Sequence, residues 1–124
     1  MFELTINGNV YGFRFGMGFL REINKKVGMP MDGVPDMKKN MGLQYAVAGL
    51  MDGDMEELVN VLFLANKTEN PRVTMPMLDE YIEDETTDID QLFKDLLDFL
   101  ENANATKTTV AFLKKQVEEA KKNQ

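Results

Sequence analysis

The side chains of this sequence that could do chemistry are mostly carboxylates, with 21 Asp and Glu among 124 residues. Two short acidic runs, residues 52–56 and 84–88, have the alternating oxygens of an EF-hand calcium loop. Such a loop also needs glycine at its sixth position and glutamate at its twelfth. The first run has Glu57 and Phe63 at those positions, and the second has Ile89 at its sixth. Helix capping explains both runs better, so no metal site is predicted.

Other catalytic arrangements are limited by composition. The chain has no histidine and no cysteine, and the printed sequence contains no serine either. Triads built on serine or cysteine with histidine are therefore excluded. Paired carboxylates remain able to do acid–base work, but the sequence singles out no pair. We interpret the protein as a non-enzyme with no catalytic residues and no cofactor.

The charge distribution limits the partners. The formal net charge is −7 and the pI is about 4.6, which disfavours nucleic acid as a partner. Residues 79–101 carry ten acids against Lys94, whereas five lysines follow Thr106. This asymmetry is interpreted first as a solvated face. The alternative is an acidic patch that binds a basic partner or the basic tail of a neighbouring copy.

No membrane segment or signal peptide is predicted. The longest apolar run, residues 61–65, is far shorter than the roughly 20 residues of a membrane helix. The N-terminus shows strand-like alternation in place of a basic region followed by an apolar run. We therefore expect no membrane partner.

The N-terminus predicts a β-hairpin. Asn7-Gly8 favours a type I′ turn, because both central residues of that turn need positive φ. The turn pairs Leu4 with Tyr11 and Phe2 with Phe13, which gathers the apolar side chains on one face. That face comprises Phe2, Leu4, Ile6, Tyr11, Phe13 and Phe15. An isolated hairpin is barely stable in water, so this face is expected to lie on helices or on another chain.

Helices are predicted for most of the remaining chain. A first helix follows residues 16–18 and ends near Gly28. A loop is predicted over 29–40, and a second helix over 41–51. Asp54, Thr74 and Asp88 predict N-caps for the third, fourth and fifth helices. The third helix is apolar on nearly every side and is expected at the centre of the core.

A sixth helix is predicted from about Thr106. Its narrow apolar stripe comprises Val110, Leu113, Val117 and Ala120, and Phe112 lies away from this stripe. Together the elements predict an α+β fold that is predominantly α-helical, with an N-terminal β-hairpin packed on a bundle of about five to six helices. We expect a single domain over 1–124, divided into the hairpin (1–15), a helical core (16–103) and a C-terminal helix (104–124).

Several local patterns resemble one known family. They are the Asn-Gly hairpin and residues 11–15, 19–24, 41–44, 71–72, 80–84 and 104–107. These patterns are similar to those of the tail assembly chaperone family of long-tailed (siphovirus-type) bacteriophages and prophages of Gram-positive bacteria. The resemblance covers essentially the whole chain.

The resemblance implies a specific role. A member of that family is expected to bind the tape measure protein, to promote tail tube assembly and to be absent from the finished virion. The implied partners are the tape measure protein and, as a further candidate, the tail tube protein, with self-association left open. The implied location is the cytoplasm of the bacterial host.

Candidate partner-binding residues lie on the outer edge of the hairpin and on the last helix. They are Val10, Tyr11, Phe112, Leu113 and Val117. A free strand edge can accept another strand, and Phe112 has no predicted intrachain contact. Alternatively, Phe112 packs into the core. Two other functions remain open, a structural tail protein retained in the virion and an acidic protein-binding adaptor of the bacterial host.

Overall fold

A two-stranded antiparallel hairpin precedes the helices in the computed structural model. The structure describes residues 1–26 and 35–122, the side chains of Lys26 and of residues 35–41 excepted. Within these ranges the elements are β1 (Phe2–Ile6), β2 (Asn9–Phe13), α1 (Met17–Lys26), α2 (Pro35–Met51), α3 (Met55–Asn66), α4 (Met75–Glu83), α5 (Ile89–Asn102) and α6 (Lys107–Lys122). The predicted α+β, mainly helical architecture is confirmed.

The hairpin has the predicted turn and register. Asn7 and Gly8 have φ values of 52° and 81°, as a type I′ turn requires. Phe2 pairs with Phe13, and Leu4 pairs with Tyr11. The apolar face packs against α5, where the rings of Phe2 and Phe99 meet edge to face with centroids 5.6 Å apart. The expectation that helices cover this face is confirmed.

Side-chain caps start three of the helices where the sequence predicts them. The backbone N–H of Glu57 donates to Asp54 Oδ1 at 3.2 Å. The N–H of Met77 donates to Thr74 Oγ1 at 3.3 Å. The N–H of Gln91 donates to Asp88 Oδ1 at 3.1 Å. Each cap satisfies a backbone donor that has no partner within its own helix. The acidic residues Asp54 and Asp88 therefore have a structural role.

Helix α2 begins earlier than the sequence predicts. It starts at Pro35, so the predicted loop is wrong over residues 35–40, while 29–34 and Gly28 lie outside the described residues. Proline at the first helical position loses no intrahelical hydrogen bond, and its fixed φ suits the helix. A proline at this position is compatible with a loop and with a helix start, so the local sequence does not separate the two.

Helix α3 contributes much of the core, as predicted. It contacts α1, α2, α4 and β2. Its buried residues are Leu58, Val59, Val61, Leu62, Leu64, Ala65 and Asn66. Met55, however, is 43% exposed. The prediction of a helix buried on all sides is therefore wrong at the first turn of α3, where Met55 and Glu56 are exposed.

The end of α3 connects the hairpin to the loop before α4. The buried Asn66 donates from Nδ2 to the carbonyl oxygens of Gly12 at 2.9 Å and Pro71 at 3.1 Å. Its Oδ1 accepts from the N–H of Val73 at 2.6 Å. Because the Asn66 side chain is buried, its amide would cost free energy if it lost these partners. Asn66 thus fixes the hairpin relative to the helices.

Candidate protein-binding surfaces

The five predicted partner-binding residues differ in exposure. Val10 and Phe112 are each 52% exposed, and Val117 is 43% exposed. Leu113 is half-buried and packs against the core. Tyr11 is only 6% exposed, on the apolar face of the hairpin. The structure therefore places three of the five at the surface, on two separate elements, and Tyr11 takes no part in the surfaces described below.

The outer edge of β2 is partly occupied within the chain. The Gly12 carbonyl accepts from Asn66, and the N–H of Arg14 donates to the Ala65 carbonyl at 2.8 Å. Both groups belong to the edge on which an added strand would pair. Val10 lies further along, beside the turn, with an exposed side chain. The hairpin therefore offers an apolar side chain near its tip, and its edge is already engaged nearer α3.

Among the described residues, the contacts that hold helix α6 to the fold lie in its first half. The buried Thr106 donates from its hydroxyl to the Leu100 carbonyl at 2.6 Å, and Val110 is fully buried. Lys114 Nζ lies 2.7 Å from Glu101 Oε2 on α5. Beyond these contacts residues 115–122, here called the distal half of α6, are all exposed. Most of the distal apolar stripe therefore has no cover from the described chain.

A second apolar surface lies between α3 and α4. Its floor includes Val59 and Ile82, and the exposed Met55 and Met75 flank it. Glu56, Asp79 and Glu83 form an acidic rim, and the cavity volume is about 530 Å³. We refer to this depression as the α3–α4 groove.

The sequence interpretation missed the groove because it expected the whole third helix, Met55 included, at the centre of the core. Met55 and Met75 are each the first residue of a helix, directly after the caps Asp54 and Thr74. The capping signal that located these helices could therefore have located the groove methionines too.

Two ionisable groups near α4 have displaced pKa values. Hydrogen bonds from the hydroxyl and the backbone N–H of Thr86 lower the pKa of Asp84 below its ordinary value. Burial raises the pKa of Tyr81. Asp84 is exposed and stabilises a turn, which accounts for its shift without a catalytic role.

Among the described residues no group of three or more acidic side chains is arranged to hold a metal ion. No helix within 1–26 and 35–122 is long and apolar enough to cross a membrane.

An apolar depression with a polar rim, here the α3–α4 groove, is the kind of surface that marks a protein-binding site. A family model described as phage tail assembly chaperone protein, TAC, matches residues 3–115. The chain belongs to this phage tail assembly chaperone family, whose role implies protein partners in tail assembly. Searches among curated proteins and among solved structures gave no significant match.

Proposed function

We propose that this chaperone binds the tape measure protein, promotes assembly of the tail tube around it, and leaves before the virion is complete. The observation that supports this most directly is the exposure of Phe112 on α6. Helical geometry places Phe112 well away from the stripe that begins at the buried Val110. A large aromatic side chain held in water on a rigid helix is the kind of anchor that dominates protein interfaces.

The client suits such an anchor. The family resemblance implies a long helical protein, which exposes apolar stripes until the tube encloses it. Phe112 and the exposed Val10 offer apolar contacts on two elements of the chaperone. The net charge of −7 disfavours non-specific association between copies of the chaperone while such surfaces are exposed. Binding takes place in the host cytoplasm, where the tail is built.

An affinity pull-down from phage-producing cells tests the client. The tagged protein is expected to recover one very long, helix-rich protein as its main partner. Phe112→Asp should reduce that recovery by about tenfold or more, because loss of an aromatic anchor costs roughly 1–2 kcal/mol or more. Tyr45→Asp is the matched control, since Tyr45 is an aromatic residue of similar exposure on α2. Recovery of only tail tube or host proteins would contradict the proposal.

Release before completion needs a separate measurement. Quantitative mass spectrometry of purified virions should detect the tape measure protein and little or none of this chain. If the chain is present at a fixed ratio to the tube protein, the alternative of a structural tail protein replaces the chaperone role. A pull-down that recovers host regulators alone would support the adaptor alternative.

A further inference from the structure

The α3–α4 groove and the distal half of α6 are complementary surfaces of the same chain. We propose that the distal half of α6 in one copy docks into the α3–α4 groove of a second copy. Within one chain α6 packs on α2 and α5, whereas the groove is formed by α3 and α4. The two surfaces therefore belong to different parts of the fold, and each is left exposed.

The apolar parts of the two surfaces match in kind. Val117 and Ala120, both exposed, continue the stripe of Leu113 at helical spacing, while Leu113 itself packs against the core. Flexible methionine side chains, here Met55 and Met75, adapt readily to a ridge of small aliphatic residues. The floor of the groove supplies Val59 and Ile82. Phe112 lies on another side of α6 and remains available to a client.

The charges select this pairing over other contacts between copies. Lys121 lies one turn beyond Val117 on the same face, whereas Glu118, Glu119 and Lys122 lie on other sides of the helix. The rim of the groove is formed by Glu56, Asp79 and Glu83. Among the described residues none of these acids or lysines is in an ion pair of its own chain. Since each copy carries a net charge of −7, most other juxtapositions would repel.

The contact has a defined symmetry. It joins two different surfaces, so every copy that uses its helix still has a free groove, and association proceeds head to tail. The distal half spans about 12 Å of helix, from eight residues at a rise of about 1.5 Å each. Such a contact is small for a protein interface, so the association is weak and depends strongly on concentration.

Sedimentation equilibrium of the purified protein tests this without any client. The weight-average mass is expected to rise above 14.1 kDa as concentration increases. Two charge-reversed variants, Lys121→Glu with Lys122→Glu and Glu56→Lys with Glu83→Lys, should each remain monomeric. A mixture of the two should associate again, because the first keeps an unaltered groove and the second keeps an unaltered helix.

The control variant makes the same change in net charge as the double lysine variant, but at lysines elsewhere in the chain. Lys25→Glu with Lys107→Glu alters two exposed lysines outside the distal half of α6 and should associate like the unaltered chain. Circular dichroism should show equal helix content in all variants. The proposal is overturned if the unaltered chain stays monomeric, if either charge-reversed variant associates normally by itself, if the mixture stays monomeric, or if the control also loses association. Its failure would leave client binding through Phe112 unaffected.

Discussion

Helices α5 and α6 follow one another in the chain and both carry apolar stripes at helical spacing, but they bury those stripes to different extents. In α5 the buried residues are Leu92, Phe93, Leu96 and Leu100, which extend over most of the helix. In α6 only Val110 is buried, and the stripe becomes exposed by Val117. Similar apolar stripes therefore occur in α5, which is a core helix, and in α6, whose distal half is exposed.

The difference comes from the number of neighbours along each helix. Helix α5 has α2 and α6 beside it, and the Phe99 ring on another side meets the hairpin. Helix α6 is anchored by Thr106 and Val110, and then extends beyond the helices it packs on. An apolar stripe identifies a face that burial would stabilise, but it does not identify the surface that covers it.

The largest difference in stability is expected between two variants that each shorten one side chain, one in the stripe of α5 and one in the stripe of α6. Leu96→Ala should lower the free energy of unfolding by about 2–5 kcal/mol, because Leu96 is completely buried in α5. Val117→Ala should change it by less than about 0.5 kcal/mol, since Val117 is 43% exposed and alanine favours helix. Urea denaturation followed by circular dichroism measures both. Equal losses would show that the distal half of α6 is covered in the isolated chain.

A second substitution tests α2, the helix on which both α5 and α6 pack. A Cβ added at Gly42 would overlap the Ile23 carbonyl oxygen and Asn24 Cα, both backbone atoms of α1. Gly42→Ala should therefore cost about 1–3 kcal/mol despite the better helix propensity of alanine.

Gly49→Ala, also in α2, is the matched control for that substitution. A Cβ there would meet mainly the flexible side chain of Glu57, at 3.0 Å from its Cγ. Its melting temperature should stay close to that of the unaltered chain. A Gly42→Ala variant that is equally stable would contradict the close approach of α1 and α2.

Substitutions at Thr106, in the connection between α5 and α6, should have an intermediate effect on stability. Thr106→Val removes the hydroxyl that donates to the Leu100 carbonyl while keeping the side chain's shape. We expect a loss of about 1–2 kcal/mol, because the buried carbonyl then lacks this donor. Thr106→Ser keeps the hydroxyl and should lose less stability than Thr106→Val. Thermal unfolding of both variants gives the comparison, and a greater loss for serine would show that the methyl group matters more than the hydrogen bond.

The smallest effect is expected at the exposed turn before α5. The lowered pKa of Asp84 means that the folded chain releases this proton more readily than the unfolded chain. Its contribution to stability is therefore present above the ordinary value of 3.8 and is lost as the pH falls through the lower folded value.

Thr86→Val tests the cause of that shift. The variant removes the hydroxyl donor, so the pKa of Asp84 should rise toward the ordinary value, while the backbone N–H of Thr86 keeps part of the shift. Titration of the Asp84 carboxyl carbon by NMR follows the change. An unchanged pKa would show that the Thr86 hydroxyl is not the main cause of the shift.

Local signals in the sequence predicted much of the fold correctly. The hairpin register followed from Asn7-Gly8 and the alternating apolar residues, and three helix starts followed from Asp54, Thr74 and Asp88. Each of these features depends on neighbours within a few residues. The start of α2 was missed because Pro35 favours both a loop and a first helical turn, and the local sequence does not separate the two.

The candidate surfaces were only partly predictable. Phe112 was identified because its position on the helix differs from that of the stripe, and the structure places it at the surface. The groove was missed because its two methionines come from helices that are brought together only by folding. The burial of Tyr11 follows from the same cross-strand pattern that predicts the hairpin.

By itself the sequence determined the element types, the hairpin register, the caps and the acidic balance, because turn chemistry, side-chain periodicity and charge act over short distances. Only the tertiary structure decided which apolar stripes are covered, that Asn66 joins the hairpin to the loop before α4, and that acids from α3 and α4 surround one groove. These outcomes depend on contacts between distant segments, and such contacts are set by how the helices fit together in space.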